Sequence, residues 1–278
     1  MEMLDDLLWA YQDLFYGLGV NAILGLSLYA VLALGQLSLG QAAFMGIGAY
    51  AGAVATVKLG LPFPAILLLS MVAPAIAAAL VGIPTLRLTG VYLAIATIGL
   101  GEVLRILYLN SDYLGGALGF SGIPAKADGW IIYGLLAAIL IAFLLVMHSR
   151  IGRAIEAIRE DEDAAKVMGI NVGAYKRTAL ILSAALAGLG GALNAHFSSF
   201  IAPAEFGFET AVAILSYAVL GGVGSPLGPV VGAFLLTALP EILRSLHEWR
   251  GLFNGLIIVL VMIFLPKGLL AWRVRRTG

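Results

Sequence analysis

The chain has 278 residues, of which 61% are hydrophobic and 12% are charged, and its formal net charge is +0. Soluble domains are usually about 45–50% apolar and about 25% charged, so this composition requires a lipid bilayer as solvent. It excludes a separate soluble catalytic domain, for which no block of about 50 residues of ordinary composition is present. The zero net charge gives a nucleic-acid-binding role no electrostatic support.

Apolar runs separated by glycine, proline and charge predict nine membrane-spanning helices, because one helical span takes about 20 residues. The runs lack period-two alternation and are too long for barrel strands. In chain order they are 17–34, 41–57, 65–83, 91–109, 131–147, 178–195, 209–222, 230–243 and 251–265. We therefore expect an all-α integral membrane protein, a polytopic bundle of about 8–10 transmembrane helices in one domain over residues 1–278.

The positive-inside rule predicts the orientation of the chain. With a cytoplasmic C-terminus and an outside N-terminus, eleven of the 16 basic residues lie inside: Arg87, Arg150, Arg153, Arg159, Lys166, Lys176, Arg177, Lys267, Arg273, Arg275 and Arg276. Four lie outside, Lys58, Lys126, Arg244 and Arg250, and Arg105 lies within a span. The acidic start, with Glu2, Asp5 and Asp6, is unlike a signal peptide, so we expect no cleaved leader.

Two glycine-rich stretches interrupt the hydrophobic pattern, residues 35–41 and residues 221–229. We expect tight turns or broken helices there, where protein or water must cover the irregular backbone. The sequence YAVL at residues 29–32 recurs at residues 217–220, and Leu39-Gly40 recurs as Leu227-Gly228 at the same offset. The two copies indicate either a parallel internal repeat or a chance match in Ala-, Gly- and Leu-rich sequence.

One long polar loop, residues 149–177, lies between the fifth and sixth spans. Ile155 and Ile158 stand at helical spacing among charges, Glu162 and Lys166 form an i,i+4 pair worth about 0.3 kcal/mol, and Gly169 follows as a helix-ending glycine. We expect a short amphipathic helical hairpin on the cytoplasmic side. The alternative is a solvated connector of balanced charge. An apolar stripe at a membrane surface favours the hairpin, because lipid or a partner must cover it.

Within this loop, residues 163–169 (DAAKVMG) resemble the EAA-xxx-G coupling motif of bacterial ABC importer permeases, with Asp163 in place of Glu. Further segments are similar to the branched-chain amino acid ABC transporter permease family and its LivM-type subunits: 38–44, 85–92, 101–105, 152–162, 169–171, 175–176 and 220–229. The resemblance runs from about residue 20 to about residue 270, which is nearly the whole chain.

The resemblance implies the permease subunit of an ATP-driven ABC importer in a bacterial or archaeal cytoplasmic (inner) membrane. Its cargo would be leucine, isoleucine and valine. The implied partners are a second, LivH-like permease, two cytoplasmic ATPases, an extracytoplasmic solute-binding protein and membrane lipid. The ATPases would bind ATP with Mg²⁺; this chain lacks a phosphate-binding G-x-x-x-x-G-K-[ST] loop, and no cofactor is expected on it. The residues expected to couple to the ATPases are Arg153, Glu156, Arg159, Asp163, Ala164, Ala165 and Gly169.

Polar residues at the breaks and inside the spans are candidates for the translocation path: Gln36, Ser38, Gln41, Glu102, Arg105 and Ser225. Glu102 and Arg105 lie three apart on one face of the fourth span. They form either a gate or a buried ion pair that fixes helix register. For Asn21, Asn194 and His196 at span edges we expect interhelical hydrogen bonds.

Two other functions compete with the importer of branched-chain amino acids. The first is an importer of the same family that carries urea, amides or another small acid. The second is an ion-coupled secondary transporter, which would need carboxylates near the bilayer centre and inverted repeats. The sequence has no cysteine, no catalytic motif and no metal-ligand spacing among His148, His196 and His247. We therefore expect that this chain is not an enzyme and has no metal site.

Overall fold

The structure is a computed structural model that describes residues 12–85, 88, 90–242 and 268–269. Ten α-helices occupy the described part: α1 (Gln12–Leu32), α2 (Gln41–Val57), α3 (Phe63–Thr85), α4 (Val91–Leu109), α5 (Gly129–His148), α6 (Arg150–Glu160), α7 (Glu162–Val167), α8 (Val172–Ser198), α9 (Phe208–Gly221) and α10 (Leu227–Ile242). Short 3-10 turns occur at Asp112–Leu114, Gly116–Leu118 and Pro203–Phe206. Strands β1 (Phe120–Ser121) and β2 (Phe200–Ile201) pair antiparallel.

The helical membrane bundle predicted from hydropathy is confirmed. Five helices are long and apolar enough to cross a membrane, namely α1, α3, α4, α5 and α8, and the shorter apolar helices are α2, α9 and α10. The second and fourth predicted spans have the same bounds as α2 and α4. The ninth predicted span, residues 251–265, lies outside the described residues, as do the acidic start and the basic residues at 87, 244, 250, 267, 273, 275 and 276.

Helix α8 is the centre of the bundle and packs against α1, α2 and α3. Glycines allow these helices to approach closely, because a Cβ atom at Gly48 would overlap the backbone of Gly188 on α8. A Cβ atom at Gly188 would in turn overlap the Ser70 carbonyl oxygen on α3. Small residues at helix contacts are the usual means of packing inside a bilayer, where no hydrophobic force drives helices together.

The two ends of the bundle differ in chemistry. One end, the polar end, carries α6 and α7 and the basic residues Arg150, Arg153, Arg159, Lys166, Lys176 and Arg177. The opposite end carries the β1–β2 pair and the 3-10 turns, and there Lys58 Nζ donates to the Tyr113 carbonyl at 2.9 Å. Residue 111 follows the end of α4 and residue 149 follows the end of α5. The two residues therefore lie at opposite ends of the bundle, as the predicted topology requires.

Both predicted breaks exist. Helix α1 ends at Leu32, the last residue of the YAVL sequence, and Gly35 in the turn that follows has φ 72°. Helix α9 ends at Gly221, one residue past the copy, and Gly222 directly after it has φ 97°. The following helices begin at Gln41 and Leu227. Glycine suits both turns because it adopts positive φ without steric cost. The two turns are not equivalent, since Gly35 corresponds to Val223 at the offset of the repeated sequence, and the internal repeat stays a prediction.

Candidate functional site

The polar loop folds as two helices because its capping residues stand at the right positions. The Ser149 hydroxyl accepts a hydrogen bond from the Ile151 amide at 3.1 Å at the start of α6. Asp161 follows the end of α6 and caps α7, its carboxylate accepting from the amides of Asp163 (2.9 Å) and Ala164 (3.0 Å). Gly169 ends the pair at φ 85°. Such caps satisfy amides that the helix leaves unpaired.

The helix pair is amphipathic, as predicted. Ile158 on α6 and Ala165 on α7 are each 3% exposed and pack in the main core. Helix α8 begins at Val172, so the last six residues of the predicted loop are its first turns. The connector is thus short and stiff, with its apolar stripe turned toward the bundle.

Ion pairs fasten α7 to the start of α8. The predicted Glu162–Lys166 pair is present at 3.2 Å, and Lys166 also contacts Asp163 at 3.1 Å. Glu162 has a second partner, Lys176 Nζ on α8, at 2.5 Å. This hydrogen bond from Lys176, together with Lys166, lowers the pKa of Glu162 from its ordinary value. Asp163 and Glu162 raise the pKa of Lys166.

The residues expected to couple to ATPases lie on this helix pair, and all except Ala165 are exposed to solvent: Arg153, Glu156, Arg159, Asp163, Ala164 and Gly169. The Arg159 guanidinium donates to the Val223 carbonyl in the second break at 3.4 Å. Two apolar neighbours, Val167 and Met168, are 88% and 81% exposed and were not among the predicted coupling residues. Their position within the motif at residues 163–169 could have identified them, because an exposed apolar pair beside charges favours a protein contact.

The first break is covered by protein, which explains why irregular backbone is tolerated there. The Leu39 amide donates to Thr97 Oγ1 on α4 at 2.9 Å, and Gln41 Nε2 donates to Ser183 Oγ on α8 at 3.0 Å. Ser38 and Gln41 are each 1% exposed, whereas Gln36 is partly exposed. Of these three path candidates, Gln36 is therefore the one whose side chain is open to solvent or a partner.

The remaining path candidates lie apart from the first break. Arg105 Nε donates to Glu102 Oε2 at 2.7 Å, and the two side chains are 33% and 37% exposed. A Cβ atom at Gly207 would lie 3.3 Å from Arg105 Cδ, so the pair packs beside the start of α9. Ser225 sits in the second break, where its hydroxyl accepts from the Leu227 amide at 3.3 Å and stabilises the start of α10.

The span-edge polar groups make the interhelical hydrogen bonds expected of them. Asn21 Nδ2 donates to Thr237 Oγ1 at 3.0 Å, and His196 Nε2 lies 2.6 Å from Thr56 Oγ1. Asn194 reaches the Glu205 carboxylate at 3.4 Å at the opposite end. Burial raises the pKa of Glu205. The described residues hold no group of three or more His, Cys, Asp or Glu side chains that could bind a metal.

The described part of the chain thus has a polar helix pair at one end of an apolar bundle, close to the two breaks. Comparison with known proteins gives the family. The model of the family described as "Branched-chain amino acid transport system / permease component" matches residues 13–265. The chain belongs to this family.

Among relatives of this permease, the high-affinity branched-chain amino acid transport system permease protein LivM of Escherichia coli (strain K12) is 37% identical over 289 residues. That alignment covers 91% of this chain and 66% of LivM, so the chain spans slightly less than two thirds of that relative. LivH of the same strain is 32% identical over 144 residues, covering 51% of this chain and 46% of LivH.

The permease also resembles a solved structure, PsaBC from Streptococcus pneumoniae in complex with Fab. The TM-score is 0.51 at 18% identity, with 91% of both chains covered. At this identity the likeness concerns the fold alone.

Proposed function

We propose that this permease is the membrane-spanning subunit of an ATP-driven importer of leucine, isoleucine and valine. The observation that carries the proposal is the α6–α7 pair, a capped, stiff element with Val167 and Met168 exposed at the polar end of a family permease. The 37% identity to LivM over most of this chain supports the substrate class.

In this account, α7 receives the movement of an ATPase and passes it to the bundle. Ala165 is buried at its base, and Glu162 is bonded to Lys176 at the start of α8. A push on α7 therefore acts on α8, which touches α1, α2 and α3. A rigid helix transmits such a displacement, whereas a flexible loop would absorb it.

The proposed orientation puts the polar end in the cytoplasm. Among the described residues, six basic side chains lie at that end, and Lys58 and Lys126 lie at the other. The positive-inside rule then places the N-terminus of the chain outside and the C-terminus inside. This orientation gives the positions of the proposed partners. Two ATPases would bind at the polar end, a solute-binding protein at the opposite end, and a second, LivH-like permease beside this one in the membrane.

No covalent step is proposed for this chain, because ATP hydrolysis would take place on the partner ATPases. Its own work would be to offer a path that binds the solute weakly and opens to one side at a time. Gln36 at the exposed part of the first break and the Glu102–Arg105 pair beside α9 are the proposed path elements.

Gentle detergent purification of the tagged chain from its host, followed by mass spectrometry of the proteins that accompany it, tests the proposal. Two ATPase subunits and one second permease per chain are expected, and the associated binding protein should be stabilised by leucine in a thermal-shift assay. A binding protein that is stabilised by urea or an amide instead would contradict the substrate class. A chain that purifies alone and transports on an ion gradient would contradict the importer.

A further inference from the structure

The 3-10 turn Pro203–Phe206 lies inside the bundle and not on its surface. The Phe206 side chain is 1% exposed, and its ring centroid lies 5.6 Å from that of Tyr50 on α2. Tyr50 lies about 10 Å before the end of α2 at Val57, because a helix rises about 1.5 Å per residue. Irregular backbone at such a depth is tolerated only where protein buries it or where it lines a water-filled path. Transporters bind their solutes at interruptions of this kind.

Three aromatic side chains meet at this turn. The ring centroids of Tyr50 and Tyr108, which is on α4, are 4.3 Å apart, and Phe206 lies 6.1 Å from Tyr108. The two tyrosines are 3% and 4% exposed, and neither hydroxyl has a hydrogen-bond partner within the described residues. Native proteins leave few buried hydroxyls unpaired, because doing so is costly. Both hydroxyls are therefore free to bind a polar group of a ligand.

Glu205 places a carboxylate beside these hydroxyls. It is partly exposed and accepts hydrogen bonds from the Ala202 amide at 3.2 Å and from Asn194 Nδ2 at 3.4 Å. Among the described residues, no basic side chain forms an ion pair with it. The Tyr50 hydroxyl is within electrostatic range of this carboxylate. A carboxylate that faced lipid at this depth would be costly, so we expect its open side to face the translocation path.

From the unpaired carboxylate and the two free hydroxyls, we infer a binding site for the ammonium group of the solute. Glu205 supplies the opposite charge, and the hydroxyls of Tyr50 and Tyr108 accept hydrogen bonds from the remaining N–H groups. The aromatic rings suit an organic ammonium ion with an apolar side chain. The inference rests on the proposed function and deepens it, because it names the group by which the path distinguishes an amino acid from urea, an amide or an acid without an ammonium group.

The site adjoins the path element already proposed at Glu102 and Arg105. A Cβ atom at Gly207, directly after Phe206, would lie 3.3 Å from Arg105 Cδ and 3.8 Å from Glu102 Oε1. Glu205 is partly open, whereas the tyrosine hydroxyls are covered. The ammonium group therefore meets Glu205 first and reaches the hydroxyls when the turn separates from α2 and α4.

Saturation-transfer NMR on the permease, purified with its accompanying subunits and without ATP or binding protein, tests the site. The probes are leucine, isoamylamine, which has the ammonium group but no carboxylate, and isocaproate, which has the carboxylate but no ammonium group. Leucine and isoamylamine should bind, and isocaproate should not. Glu205→Gln should weaken the binding of both ammonium compounds by about tenfold, because it keeps the shape of the side chain and removes the charge. Glu209→Gln, the same change at an exposed carboxylate in the first turn of α9, should leave binding unchanged.

Tyr108→Phe tests the hydroxyls, because it removes one of them and keeps the ring. It should weaken the binding of both ammonium compounds by about threefold, the effect of one neutral hydrogen bond. It should not lower the midpoint of denaturant unfolding, because the hydroxyl that is lost is unpaired. A hydroxyl that only binds a structural water predicts the reverse, namely a lower midpoint and unchanged binding.

Three results would overturn the site. They are equal binding of isoamylamine before and after Glu205→Gln, a lower midpoint with unchanged binding in Tyr108→Phe, and displacement of isoamylamine by an equal concentration of sodium, which would assign the site to an inorganic cation. The binding assay needs neither ATP nor uptake. A permease that binds isoamylamine through Glu205 but does not import leucine would therefore contradict the proposed function alone.

Discussion

At the scale of single residues, glycine sets how closely the helices of this permease approach. Gly48 and Gly188 face each other across α2 and α8, and Gly188 also meets α3. Three helices therefore share one contact point, where even a methyl group has no room. Gly134 on α5 is also within a helix, but a Cβ atom there would meet nothing within 4 Å.

Gly188→Leu should lower the free energy of unfolding by about 3 kcal/mol, because the added side chain forces α3 and α8 apart. Gly134→Leu, the same change at an open position, should alter it by less than about 0.5 kcal/mol. Denaturant unfolding of the purified variants in detergent measures both. Equal stability of the two variants would show that the close contact at Gly188 does not exist.

At the scale of elements, the Glu162–Lys176 pair holds α7 against α8 and makes their contact depend on pH. The folded pKa of Glu162 lies below its ordinary value of 4.5. The pair therefore contributes its full stabilisation above pH 4.5 and loses it as the pH falls through the lowered pKa. The contribution is below about 1 kcal/mol, because the Glu162 side chain is 39% exposed and water screens the pair.

Amide hydrogen exchange in α7, corrected for the intrinsic rate, measures this dependence. Protection should stay constant between pH 7 and pH 5 and decline below pH 4.5. Glu162→Gln should remove the decline and lower protection throughout. The same decline in Glu162→Gln would assign the dependence to another group.

Met168→Lys tests the exposed apolar end of α7. If Met168 packs against an ATPase, a buried charge there should reduce the amount of ATPase that co-purifies with the permease by about tenfold, which is the loss of a moderate contact residue. The chain should still reach the membrane, because Met168 is 81% exposed. Leu118→Lys, a matched change at a residue that is 90% exposed at the opposite end, should leave ATPase recovery unchanged. Unchanged recovery in Met168→Lys would remove α7 from the docking surface.

Hydropathy predicts the elements of this chain well and their contacts poorly, for physical reasons. The bounds of α2 and α4 follow from composition, because lipid admits only long apolar helices. The bond between Glu162 and Lys176 joins residues 14 apart across the turn at Gly169, and no helical spacing reveals it. The Thr97 hydroxyl that covers the first break comes from another helix 58 residues away. Such contacts depend on tertiary packing, which no periodicity encodes.

At the scale of the whole molecule, the described part of the permease is a bundle with one polar end and one end that carries short turns and a strand pair. Five apolar helices of the described part, α1, α3, α4, α5 and α8, are long enough to connect two sides of a membrane. In the proposed function, the displacement of α7 by an ATPase passes through α8 to the helices around the first break. The orientation of the two ends is thus the property on which the direction of transport depends.

Single cysteines read out this orientation, since the natural chain has none. Ala117→Cys at the turn end and Glu160→Cys at the polar end, both at exposed positions, should react with a membrane-impermeant maleimide from opposite sides of the membrane. In intact cells stripped of their outer wall, the cysteine at 117 should label and the cysteine at 160 should label only after lysis. Labelling of both from one side would contradict the arrangement of the spans.

Uptake of radiolabelled leucine into proteoliposomes tests whether this permease belongs to an ATP-driven importer of branched-chain amino acids. The vesicles would contain the permease with its co-purifying subunits, with the binding protein outside and ATP or a non-hydrolysable analogue enclosed. Leucine should accumulate with ATP and not with the analogue, and isoleucine and valine should compete with it. Accumulation driven by an ion gradient without ATP, or ATP-driven uptake of another solute with no uptake of leucine, would contradict it.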